Sequence, residues 1–110
     1  MTQPAKKIGL FLPEGLHDQM LTTARSHYRR NPRGCVRGVY ERALGQLADN
    51  LDAGVAVNFP ATRGVKDRVS VRISGRLCAR VRRHLEIQNL KLTDFAFAAI
   101  DRFLLSHKGS

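Results

Sequence analysis

Two stretches decide the fold: Lys7-Ile8-Gly9-Leu10-Phe11-Leu12-Pro13 and Arg68-Val69-Ser70-Val71-Arg72-Ile73-Ser74. Both alternate with the period of two that a half-buried strand requires. In the first, Ile8, Leu10 and Leu12 share one face and leave Lys7, Gly9 and Phe11 on the other. In the second, Val69, Val71 and Ile73 form the inner face and Arg68, Ser70 and Arg72 the outer. Two helical patterns follow each strand. After the first, Pro13 and Glu14 suit an opening turn, and Leu16, Met20, Ala24 and Tyr28 recur every four residues. The run Arg29–Gly34 interrupts that stripe, and Asn31 is a fitting N-cap with Pro32 at the first helical position. The second helix then buries Val36, Val39, Tyr40, Ala43, Leu44 and Leu47. After the second strand comes a helix carrying Leu77, Val81 and Leu85. A last helix, with Thr93 expected as its N-cap, carries Phe95, Ala96, Ala99, Ile100, Phe103 and Leu104.

Between Asn50 and Lys66 the periodicity fails, and Gly54, Pro60 and Gly64 punctuate the stretch. Val55–Val57 is apolar enough for a short extended piece. On either side the same order of elements recurs. Ile8 aligns with Val69, Leu12 with Ile73 and Leu16 with Leu77, while Val39–Leu44 matches Ala99–Leu104 in the final helices. The chain therefore reads as an internal duplication within a single domain, residues 1–110, with repeats at 6–50 and 68–108 and a linker at 51–67. One strand and two helices cannot bury their own apolar faces. Two copies can, if the strands pair antiparallel and the four helices pack beneath them. The expected fold is thus mainly α with a two-stranded antiparallel ribbon, pseudo-symmetric, in the order β-α-α-linker-β-α-α.

Charge limits the partners. The chain of 110 residues has a net charge of +10. Residues 1–50 hold eight basic against four acidic side chains, and residues 51–110 eleven against five, so the excess is not a basic tail. Such a field attracts polyanions, and nucleic acid is the foremost candidate. No apolar run approaches the ~20 residues of a membrane span, and the amphipathic basic helix of a membrane-surface binder is missing. Cys35 and Cys78 stand far apart, with no metal-ligand spacing, and read as reduced, packed residues of a cytosolic protein. His17, His27, His84 and His107 form no ligand pattern and read as surface histidines; no catalytic arrangement stands out, and no cofactor or metal is expected. Met1–Ala5 and Gly109-Ser110 read as loose ends.

Lys-Ile-x-Leu-x-Leu-Pro at Lys7–Pro13 and Arg-Val-Ser-Val-Arg-Ile-Ser at Arg68–Ser74, each followed by two helices, resemble the ribbon-helix-helix family of the MetJ and Arc type. Members are normally dimers, so both protomers would here lie on one chain as a monomeric pseudo-dimer. The resemblance implies that the outward strand residues enter the major groove of double-stranded DNA: Lys7, Gly9 and Phe11 from one strand, Arg68, Ser70 and Arg72 from the other. Arg68 and Arg72 suit guanine O6 and N7, Ser70 can donate or accept, and Phe11 offers apolar contact to a thymine methyl, while Gly9 reads nothing. It also implies that the second helix of each half presents backbone amides to a phosphate, at Asn31, Arg33 and Gly34 and again at Lys91, Thr93 and Asp94. Arg29, Arg30 and Arg76 lie near element ends facing the ribbon and are the expected further phosphate contacts. The other helix-face arginines, Arg80, Arg82 and Arg83 among them, include ordinary solvated positions.

Within that family, the tandem single-chain layout is similar to virulence proteins of tumour-inducing plasmids that bind near the T-DNA border. That likeness implies the C-terminal DNA-binding portion of a bacterial cytoplasmic accessory factor. Its role would be in T-DNA border processing and conjugative-type DNA transfer, beside a ParA-like ATPase and a border relaxase. A plasmid-encoded repressor of the same architecture stays open as an alternative, as does an antitoxin-like protein-interaction module.

Overall fold

The computed structural model describes residues 5–27, 32–59, 64 and 66–108, with side chains described over 6–25, 36–59, 64 and 66–106. The fold is mainly helical: strand β1 (Ala5–Pro13), helices α1 (Leu16–His27) and α2 (Pro32–Asp52), strand β2 (Lys66–Ser74), then helices α3 (Gly75–Gln88) and α4 (Leu92–Lys108). The two strands form one antiparallel sheet in which Gly9 faces Ser70 at the centre. Among the described residues no helix is long and apolar enough to cross a membrane.

Alternation sets the sheet. Ile8, Leu10 and Leu12 of β1 and Val69, Val71 and Ile73 of β2 are all buried on the inner face. The helices close over them with Leu16, Met20 and Ala24 from α1, Val39, Tyr40, Ala43, Leu44 and Leu47 from α2, Leu77 and Val81 from α3, and Phe95, Ile100 and Phe103 from α4. These side chains form one contiguous core. Leu10, Leu12 and Ile73 have no exposed surface at all. The sheet is thus held from one side by apolar burial worth ~1.5–3 kcal/mol for each such residue. Tyr40 is fully buried too, and its hydroxyl lies 2.6 Å from His17 Nδ1.

Several boundaries differ from the sequence-based expectation. Pro13 does not open a helix; it ends β1, paired with Lys66 at the sheet's end. The chain turns through Gly15 at φ 85°, a conformation that suits glycine. The Gly15 carbonyl accepts the first bond of α1, from Gln19 N at 3.2 Å. Helix α2 runs past residue 50 to Asp52 and closes in a Schellman arrangement. There Val55 N donates to Asn50 O at 2.9 Å and Gly54 N to Leu51 O at 3.1 Å, with Gly54 at φ 80°. Helix α3 ends in the same way through Asn89 at φ 54°, with Leu90 N donating to Leu85 O at 2.9 Å. Its start is capped by Ser74, whose Oγ accepts from Leu77 N at 3.1 Å. Val55–Val57 joins no sheet. Instead Val57 and Phe59 are partly buried against the core, and the Phe59 ring stacks near Phe95 at a centroid distance of 6.4 Å.

Candidate nucleic-acid interface

The outer face of the sheet is a short row of cross-strand pairs. Lys7 faces Arg72, Gly9 faces Ser70, Phe11 faces Arg68, and Pro13 faces Lys66. The six side-chain positions expected to point outward are all exposed, and Phe11 keeps 50% of its surface in solvent. Lys66 belongs with them. It lies in the stretch read as linker, because the sequence pattern starts the strand at Arg68. Extending the same period two residues backward places Lys66 on the outer face.

Electrostatics give this face its character. Lys7 and Arg72 stand directly opposite one another, and like charges so placed destabilise a strand pair. Among the described residues none of Lys7, Lys66, Arg68 and Arg72 forms an ion pair. A ribbon that keeps such an unneutralised row tolerates a folding cost that a polyanion would relieve. The cations gather most closely at one end. Ala5 pairs with Ser74, where β2 passes into α3, so exposed Lys6, Lys7, Arg72 and Arg76 lie at or next to that end of the sheet.

The expected phosphate contacts are placed less completely. Arg29, Arg30 and Asn31 lie outside the described residues. Arg33 and Gly34 belong to the first turn of α2, which does begin at Pro32, though their side chains are outside the description. At α4 the cap is corrected. Phe95 N donates to Lys91 O at 3.1 Å, so Lys91 occupies the N-cap position and Thr93 falls inside the first turn. Leu92 accompanies the shift: it packs against the core, and the helix starts two residues earlier than a Thr93 cap would set it. Lys91 is exposed at that start, while Thr93 and Asp94 are half-buried.

Part of the positive charge is already committed elsewhere. Arg80 Nη2 lies 2.6 Å from Asp49 Oδ1 and 2.9 Å from Asp52 Oδ2, and Arg83 Nη2 lies 2.9 Å from Asp52 Oδ1. These two arginines therefore tie α3 to the end of α2 and are not freely solvated. The Arg80 hydrogen bond holds the Asp52 carboxyl below its ordinary value of 3.8. His84, expected at the surface, is buried, with Nε2 approaching Asp52 Oδ1 at 2.9 Å without the alignment of a hydrogen bond. Its position was readable, since residues 77, 81 and 84 lie on one helical face. Arg37 pairs with Glu41 one turn along α2.

Catalytic features are thin among the described residues. A cleft of about 480 Å³ between α2 and α4 is lined by Ala43, Leu47 and Ala99 among others, and Arg102 is the sole ionisable group on its wall. Among the described residues no group of three or more His, Cys, Asp or Glu is close enough to hold a metal ion. Cys78 is a buried free thiol. Comparison with models of protein families, with curated proteins and with solved structures returned no match.

Proposed function

We propose that this chain is a double-stranded DNA-binding module whose two-stranded ribbon enters the major groove. One observation carries the reading: a narrow antiparallel pair of strands presents Lys7, Arg68 and Arg72 outward, with two like charges facing each other and no acid between them. The major groove, ~12 Å wide, admits a two-stranded ribbon, and arginine is the side chain best suited to guanine O6 and N7. The starts of α2 and α4 serve as phosphate clamps, their first-turn amides adding to Lys91 and Arg33. In this reading the chain is a pseudo-symmetric double ribbon-helix-helix, each half supplying one strand and one clamp.

The cellular role belongs to the same proposal. By its likeness to the border-binding virulence proteins, the module acts as an accessory factor in T-DNA border processing and conjugative-type transfer, beside a ParA-like ATPase and a border relaxase. A plasmid-encoded repressor is the alternative. Mapping the sites the protein occupies on plasmid DNA separates the two, border-flanking sites favouring the first and promoter-overlapping sites the second.

The direct test is a gel shift on random-sequence duplex DNA with the parent chain and a Lys7→Glu/Arg72→Glu double variant. The parent should retard the duplex at low salt and the variant should not, while both melt as folded proteins. A parent chain that leaves duplex DNA unshifted at low salt would end the DNA reading and favour an antitoxin-like protein interface built around Phe11.

A further inference from the structure

The ribbon is uneven along its length. One end holds the Lys7–Arg72 pair, the centre holds Gly9–Ser70, and the other end sets Phe11 opposite Arg68. Phe11 is half-exposed, and nothing lies within 4 Å of the place where a side chain on Gly9 would begin. The ring therefore does not fold back over its glycine neighbour, and a notch stays open beside it. Arg68 is exposed and makes no ion pair among the described residues.

We infer that the Phe11–Arg68 end reads a pyrimidine 5-methyl group stacked against a guanine. The inference rests on the ribbon entering the major groove. On that groove floor the sole apolar group is the C5-methyl of thymine, so an aromatic ring delivered there has one natural partner. Opposed side chains on an antiparallel pair start about 4.5–5.5 Å apart at Cβ. Stacked bases are ~3.4 Å apart. A single cross-strand pair therefore spans a single base step, with the ring over the methyl and the guanidinium on the neighbouring guanine O6 and N7. The same atom at the same place is offered by 5-methylcytosine, so cytosine methylation beside a guanine creates the same surface. The Lys7–Arg72 pair itself holds no aromatic ring, so the methyl contact falls at the other end and gives the ribbon a fixed direction on its site.

The experiment starts from duplexes that the parent chain selects out of a pool with a randomised centre. In the selected duplex, the thymine next to a guanine is replaced by deoxyuridine, which removes the methyl alone. Binding of the parent should weaken about fourfold, the worth of one methyl group taken from water at ~0.8 kcal/mol. A duplex with cytosine at that position should regain the same factor when the cytosine carries a 5-methyl group. Phe11→Ala should bind the thymine and deoxyuridine duplexes equally at an unchanged melting temperature, and Arg68→Ala should lose the preference for the adjacent guanine. Equal binding of both duplexes by the parent, or a fourfold difference that survives in Phe11→Ala, overturns the inference and leaves the groove reading standing. A parent chain that binds no duplex at all overturns both.

Discussion

Arg72 and Val71 are neighbours in β2 whose side chains leave opposite faces, one exposed and the other 4% exposed. Arg72→Ala removes no core volume and relieves the repulsion with Lys7 across the ribbon, so stability should shift by no more than ~0.5 kcal/mol. If Arg72 holds a guanine, the same change should cost about 1–3 kcal/mol of specific binding and relax preference at one base position. Val71→Asp should do the reverse, placing an unpaired charge among Ile8, Ile73 and the helices and unfolding the sheet. Thermal melts and binding curves on the two variants separate reader from core. An Arg72→Ala protein that melts early with its sequence preference intact would contradict the assignment of faces. These faces were legible in the sequence because a period of two leaves no intermediate position: a residue is either in or out. The Tyr40 hydroxyl contact with His17 was not legible. It joins residues 23 apart on separate helices, and no local spacing announces it.

At the scale of elements, the join between α2 and α3 is the part that sequence reading could least supply. Asp52 meets Arg80 across 28 residues and Arg83 across 31 residues of chain. Neither pair therefore shows as a helical i, i+4 spacing. The end of α2 was only partly legible: Gly54 marks a glycine closure, but the helix runs two residues past Asn50, where the periodicity fails, to Asp52. The strands and the apolar stripes, by contrast, followed from periodicity, and the strand ends moved: Ala5 from loose end to strand, Pro13 from helix to strand, and Lys66 and Asp67 from linker to strand. The Asp52 cluster also sets a pH dependence. Arg80 holds the Asp52 carboxyl below its ordinary 3.8, so this tie contributes fully above that value and is lost as pH falls through the lowered one. Asp52→Asn should therefore lower the melting temperature at pH 7, and the gap to the parent should close as the medium is acidified below pH 3.8. A gap of unchanged size in strong acid would show that the carboxylate charge contributes nothing to the join.

For the whole molecule, both strands of the sheet and all four helices come from one chain and enclose one core. The radius of gyration is 13.5 Å. A folded domain of this length is expected near ~13 Å. No second copy is needed to cover the inner face of the ribbon, so the chain should be monomeric in solution at 12.3 kDa. Light scattering on a gel-filtration column checks this, and a concentration-independent mass of about 24 kDa would mean that the ribbon pairs between chains. A monomer must then supply every cation of the interface itself. Lys7, Lys66, Arg68, Arg72, Arg76 and Lys91 are exposed and outside the ion pairs of the described residues. Lys7, Arg68 and Arg72 face base edges in this reading, which leaves Lys66, Arg76 and Lys91, together with Arg29, Arg30 and Arg33, for phosphates. At about 0.9 counterions released per contact, the logarithm of affinity should fall against the logarithm of salt with a slope of roughly −5. Arg80 and Arg83 already have carboxylate partners, so replacing either should leave the slope unchanged, whereas Lys91→Ala should flatten it by about one contact. A slope shallower than about −2 in the parent chain would mean that the net charge of +10 serves a partner other than DNA.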